Sequence, residues 1–458
     1  MASRVLFTTS YRRKDPRRAG DTYDYAETYM KSALHFSGNR LSSYGLRFIR
    51  QNVPPVEILE YPTWGQYVER LQEGWDVVGF SFYLDEIHEI LEMVETARRL
   101  CPGAQIWGGN YGVLTDEARP HFDRIFVGYA EHAVGQALGV EVGEIRHPPL
   151  VKWVGVSGVP VMLQGVLFTT RSCNFACSFC QTPPFGGKPS RVPLESLERV
   201  IAHYARIGVR EVSISDEYFG MFTPHDDHVI DLLQRHGLRW RCQTRIDRLS
   251  KKLDDWSERG FLGAYVGIEN LRDDHLRDMN KRLSIRETYA FVKEMHERGK
   301  ALLGFYIIGL PDHTARDIKE EIRDLAALRL DMTQICILTP LPRTPQWFDI
   351  QEKFGIFERD WHNFDLHHLV WNHPRVGPEE MRDLLLWGLR RVHSTARFAV
   401  TARKILRGYG RGSVVRGAAH LLDSALRVRN YDFASAGLLP PAEGPLSAPL
   451  APSLPSRG

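Results

Sequence analysis

At 458 residues, 43% hydrophobic and 25% charged, the chain has ample apolar material for two or three folded units. A formal net charge of +3 argues against a nucleic-acid role for the whole chain, although "SYRRKDPRR" (10–18) and the region after residue 390 are locally basic. No run of eighteen apolar residues occurs, "MASRVLFTTS" is too weakly apolar for a signal peptide, and the cysteines form no disulfide framework, so a cytoplasmic protein is expected.

The first 140 residues alternate short β-rich runs with helical patterns. Strands are expected at 4–10, 56–61, 76–84, 104–109 and 124–130. Between the third and fourth, "EIHEILEMVETARRL" (86–100) sets Ile87, Ile90, Leu91, Val94 and Leu100 near one helical face. Such alternation predicts a doubly wound, Rossmann-like parallel sheet, which binds ligands at the carboxyl ends of its strands. Those ends are Thr9, Ser10 and Tyr11, then Ser81, Phe82 and Tyr83, then Gly108, Gly109 and Asn110. No GxGxxG follows the first strand, which disfavours a nicotinamide or flavin dinucleotide.

Residues 141–160, with "HPPL" and "SGVP", read as a linker. A second βα series occupies 161–345, with strands expected at 165–171, 211–217, 239–245, 263–270, 301–309 and 332–340. Six such units predict a partial (β/α)6 barrel, with its chemistry at the carboxyl ends. Residues 346–430 read as a helical region, and 431–458, rich in Pro, Ala and Ser, as a disordered tail.

Immediately after the first barrel strand stands "RSCNFACSFCQTP", which crowds Cys173, Cys177 and Cys180 into eight positions. Thiolates at this spacing suit zinc or an iron–sulfur cluster, and zinc would need a fourth ligand that does not follow nearby. Three thiolates suffice for three irons of a [4Fe–4S] cube, leaving one iron open.

This CxxxCxxC pattern, with Phe179 before the last cysteine, resembles the radical S-adenosylmethionine (SAM) superfamily. The resemblance implies that SAM chelates the open iron and is cleaved reductively to a 5′-deoxyadenosyl radical. It extends along the barrel. "SISDEYF" looks like the second-strand SAM motif, with Asp216 and Glu217 placed for the SAM ammonium. "VGIENLRDDHLRDMNK" resembles the fourth-strand signature, with Glu269 toward SAM and Lys281 closing the motif. "GFYIIGLPDHT" is similar to the fifth-strand motif, where Ile307 packs on adenine and Gly309 lets the backbone approach, although Asp312-His313 departs from the usual pair. Arg343 stands where glycine is common.

In that light "DVVGFSFYLDEIHEILEMVETARRLCPGAQIWGGNYGVLTDEA" and "RIFVGYAEHAVGQAL" look like the cobalamin-binding domain fused in front of many radical SAM enzymes. The three strand ends above would line the corrin, and Gly128 and Glu131 match the glycine–acid signature in part, with Tyr129 and Ala130 between them. The DxHxxG motif that supplies histidine to cobalt elsewhere is absent, so a domain that keeps the fold without the cofactor stays open.

The reading is a cobalamin-dependent radical SAM enzyme, a C-methyltransferase acting on an unactivated carbon of a small-molecule or lipid-like substrate. A ring-forming or coupling radical SAM enzyme is the first alternative, and an iron–sulfur electron-transfer or assembly protein the second. A flavodoxin- or ferredoxin-type reductant is implied, with no nucleic-acid partner. The "FERDWHNFDLHHLVWNHP" stretch, with His367 and His368, should cover the barrel mouth. "RFAVTARKILRGYGRGSVVRGAAHLL" is amphipathic and basic enough for peripheral membrane contact.

Overall fold

The computed structural model describes residues 3–11, 36–38, 42–156, 159–393, 395–409 and 414–429. The basic run at 12–18 and the tail at 431–458 lie outside the described residues. Six strands come first: β1 (Val5–Thr8), β2 (Phe36–Gly38), β3 (Val56–Leu59), β4 (Val77–Ser81), β5 (Gln105–Gly109) and β6 (Arg124–Phe126). All but β2 form one parallel sheet in the order β3-β1-β4-β5-β6. Its strand order reverses at β1, so the crevice above β1 and β4 is the switch point where such sheets bind ligands. The expected helix is present at Ile87–Leu100, with Ile87, Ile90, Met93, Val94 and Ala97 buried.

The second sheet takes the order β15-β14-β13-β12-β11-β8-β7-β2. Its six parallel strands are β8 (Val159–Leu167), β11 (Glu211–Ile214), β12 (Arg239–Thr244), β13 (Phe261–Glu269), β14 (Ala301–Ile308) and β15 (Met332–Ile337). The barrel expectation holds, with two differences. The segment read as a linker contains β7 (Leu150–Val156), which pairs antiparallel with β8, and β2 pairs antiparallel with β7. An antiparallel pair needs only a short connection, which is why the segment can hold a strand rather than a linker.

The strand expected at 165–171 is also interrupted. β8 ends at Leu167, and β9 (Thr170–Arg171) pairs instead with β10 (Ser190–Arg191) in a two-stranded ribbon. This ribbon closes the loop that bears the cysteines. Helix Pro378–Val392 then packs Met381, Leu384, Leu385 and Leu389 into the core, and helices Thr395–Tyr409 and Val414–Arg429 follow. Among the described residues, no helix is long and apolar enough to cross a membrane.

Candidate active site

A cavity of about 1980 Å³ lies between the carboxyl ends of the first sheet, the cysteine loop and the concave face of the second sheet. Cys173, Cys177 and Cys180 are all half-buried, and Cys180 lines the cavity together with Phe179. The loop is fixed from outside. Ser178 N donates to Met279 O at 3.1 Å, Asn280 Nδ2 to Ala176 O at 2.8 Å, and Gln346 N to Ser178 O at 3.1 Å. Burial pushes the Cys173 and Cys177 thiols up, while the nearby cations Arg245 and Lys281 pull the other way. Bound iron would offset that burial cost, because metal ligation removes the thiol proton.

Two expected SAM contacts are found elsewhere in the geometry. Asp216 is fully buried and does not line the cavity. Its carboxylate accepts from the backbone and hydroxyl groups of Thr169 (2.6 and 2.5 Å) and Thr170 (3.1 and 2.9 Å). Full burial and four donors from Thr169 and Thr170 turn this carboxylate away from the cavity and onto the strand end that precedes the cysteines. Gly309 also lies off the cavity. Its φ of 76° is a backbone conformation that favours glycine, and an added Cβ would meet the flexible end of Met381, 2.9 Å from Cε.

Glu217, Glu269 and Ile307 do line the cavity. Glu217 accepts from the Tyr129 hydroxyl at 2.5 Å, and its other oxygen, Oε2, is buried without a partner. Glu269, with a φ of 63° at a register shift in β13, accepts from Lys281 Nζ at 2.7 Å. Asp312 lies apart, paired with His275 at 3.0 Å. Arg343 pairs with Asp116 of the front domain and donates to Leu114 O at 3.2 Å, which makes it a domain fastener.

On the front side, Thr9, Ser10, Tyr11, Ser81, Tyr83, Gly108, Gly109, Asn110, Gly128 and Glu131 all line the cavity. Phe82 does not. It is fully buried and stacks on Phe122 at 5.6 Å, away from the crevice. Tyr11 donates to Glu92 at 2.7 Å, and Ser10 donates to Glu86. Burial and the adjacent Asp85 push Glu86 up to about 7, and burial pushes Asp85 to about 6. Glu131 has both oxygens bound by Arg171, at 2.6 and 2.9 Å, and so serves the domain junction. Opposite these groups stand His367, which burial pushes down to about 4, and His368, which its bond to Asp365 pushes up.

Residues 167–325 match the family profile of the Radical SAM superfamily. That span includes the cysteine loop and the β11, β13 and β14 ends just described. The barrel is a radical SAM domain. Over 345 residues, covering 70% of this chain and 75% of the relative, the chain is 23% identical to bacteriochlorophyllide d C-12(1)-methyltransferase of Chlorobaculum tepidum. It is 31% identical over 201 residues to an uncharacterised methyltransferase of Pyrococcus horikoshii, covering 42% of each chain. The fold is that of the methyltransferase TsrM from Kitasatospora setae, solved with cobalamin and a [4Fe–4S] cluster. The match has a TM-score of 0.63 at 16% identity, over 94% of this chain and all of that one. OxsB, solved with aqua-cobalamin and SAM, matches at a TM-score of 0.57 and 11% identity, over 93% and 71%.

Several residues at the edge of the radical SAM domain had no role in the motif reading. Arg171, Tyr129, Tyr111 and Phe185 form a junction, with Tyr111 stacked on Phe185 at 4.1 Å. The signal available in the sequence was Tyr129 itself, an aromatic residue inside a glycine–acid signature. Cys336 also lines the cavity, and burial pushes its thiol up to about 12, so it stays protonated.

Proposed function

We propose that the chain is a cobalamin-dependent radical SAM enzyme that methylates carbon in a small-molecule substrate. The observation that carries this reading is one continuous cavity bordered by both Cys180 and the switch-point loops of the front sheet. A cluster, SAM and a corrinoid together supply a substrate radical and a methyl group to quench it.

This chain's residues would divide the work. Cys173, Cys177 and Cys180 hold the cluster. Glu217, with its unpartnered Oε2, receives the SAM ammonium, Glu269 faces the remainder of SAM, and Ile307 and Phe179 give it apolar walls. The corrinoid lies against Thr9, Ser10, Tyr11, Ser81, Tyr83, Gly109 and Asn110. The residues fit such a group: glycines open the end of β5, and Asn110, with a φ of 74°, turns the chain away from the crevice. The domain division at about residue 140 belongs to the same reading, as does an external flavodoxin- or ferredoxin-type reductant.

Peripheral membrane contact is supported by the last two helices, which leave Val400, Val415 and Leu422 exposed beside exposed Arg403 and Arg407. Anaerobic reconstitution with iron, sulfide and cobalamin tests the core of the reading. About four irons and one corrinoid per chain are expected, with 5′-deoxyadenosine formed from SAM on reduction. Iron-free protein that retains zinc, or a cluster that leaves SAM intact, would contradict it.

A further inference from the structure

We infer that Tyr129, contributed by the front domain, is a positioning residue for SAM: it orients Glu217 and ties that carboxylate to the cluster loop. The inference rests on the SAM-binding reading above and extends it to a residue outside the radical SAM domain.

The Tyr129 hydroxyl stands between two groups. It donates to Glu217 Oε1 at 2.5 Å and accepts from the backbone N–H of Ser172 at 2.9 Å, one residue before Cys173. Burial and the Glu217 charge push the phenol above its ordinary value, so it keeps the proton that it donates. Glu217 lines the cavity with Oε1 held by Tyr129, while Oε2 has no protein hydrogen bond and is shielded from solvent, so the carboxylate keeps acceptor capacity for a cation that enters beside it. A carboxylate fixed at one oxygen presents the other in one direction, which is the preorganisation that recognition of a cation requires.

The ring is held as firmly as the hydroxyl. The Arg171 guanidinium lies 4.7 Å from its centroid, and Glu131 holds Arg171 by two hydrogen bonds. Phe185, in the helix Thr182–Gly186 that follows Cys180, approaches edge-on at 6.2 Å. Gly128 has a φ of 89°, and a Cβ there would sit 2.8 Å from Phe185 O. The front-domain turn, β9, the loop after β11 and the helix after the cluster therefore meet at one side chain. SAM affinity then depends on the front domain being docked.

The test uses full-length reconstituted protein as wild type, Tyr129→Phe, Glu217→Gln and the double variant. SAM dissociation constants are read from the SAM-induced change in the EPR spectrum of the reduced cluster. Phenylalanine keeps the ring contacts, so iron content and melting temperature stay near wild type. Tyr129→Phe should weaken SAM binding about tenfold, as expected for one charge-assisted hydrogen bond. In the Glu217→Gln background the same change should cost less than about twofold. Equal weakening in both backgrounds, no weakening at all, or loss of iron from Tyr129→Phe overturns the inference. A wild-type spectrum that ignores SAM overturns the SAM-binding reading first, and is distinguishable for that reason.

Discussion

Asp226 sits in the first turn of helix Thr223–Arg235, 2% exposed, with both carboxylate oxygens buried and unpartnered. Burial and the neighbouring Asp216 push its pKa up to about 7. An unfolded aspartate releases its proton near pH ~4. Between those values the native state binds more protons than the unfolded state, so stability falls as pH rises from about 4 to about 7. Asp226→Asn should therefore raise the melting temperature by about 2–4 °C near pH 8 and by little near pH 5. Equal shifts at both pH values in thermal unfolding would contradict the assignment. Asp216 is also pushed to about 7 by burial, against the pull of its four hydrogen bonds. Asp216→Asn should cost the cluster as well as stability, because an amide cannot accept all of the Thr169 and Thr170 donors. Iron content separates the two aspartates: unchanged for Asp226→Asn and lowered for Asp216→Asn.

These residues show where sequence reading stops. The cysteine triplet stands out in the sequence because its chemistry depends on local spacing, and Glu217 and Glu269, which line the cavity, because each lies at or just beyond the end of a strand. Asp216 sits next to Glu217 and carries the same charge, yet it turns inward. That choice was made by Thr169 and Thr170, 46 or 47 positions away in the chain. Phe82, just past the end of β4, packs instead on Phe122 inside the front domain, a partner 40 positions away in the chain.

At the scale of elements, the junction between the two sheets rests on helix Glu131–Ala137 and ribbon strand β9. Glu131 and Arg171 are 3% and 8% exposed at their side chains, and the pair bridges the two domains. Glu131→Ala leaves a buried guanidinium unpaired and should cost about 3–5 kcal/mol. Urea unfolding should then resolve two transitions for the variant and a single one for the wild type. A loss below about 1 kcal/mol would show that the pair is solvated in solution. Nine of the eleven strands expected from sequence kept their place within about three residues, since buried parallel strands read as continuous apolar runs. The antiparallel β7 is hidden in the sequence by the breakers on either side of it, and β2, the edge strand, by its three-residue length and a partner more than 110 positions away.

For the whole molecule, the two sheets direct their carboxyl ends at one cavity, and the helix Pro378–Val392 adds Arg382, Leu386 and Arg390 to its lining. That shared space is the central claim, because it asks SAM to serve both as radical source and as methyl donor within one protein. The order of domains was legible from two βα series in succession; their closure on a common cavity was not, since it depends on contacts such as Tyr129–Glu217 and Arg343–Asp116. The most direct measurement is turnover of reduced, cobalamin-loaded protein with methyl-labelled SAM and a methyl-accepting substrate, following every SAM product by mass. The account predicts labelled methyl on product carbon, with S-adenosylhomocysteine and 5′-deoxyadenosine accumulating together. Deoxyadenosine accumulating while the label stays in SAM and methionine would contradict it.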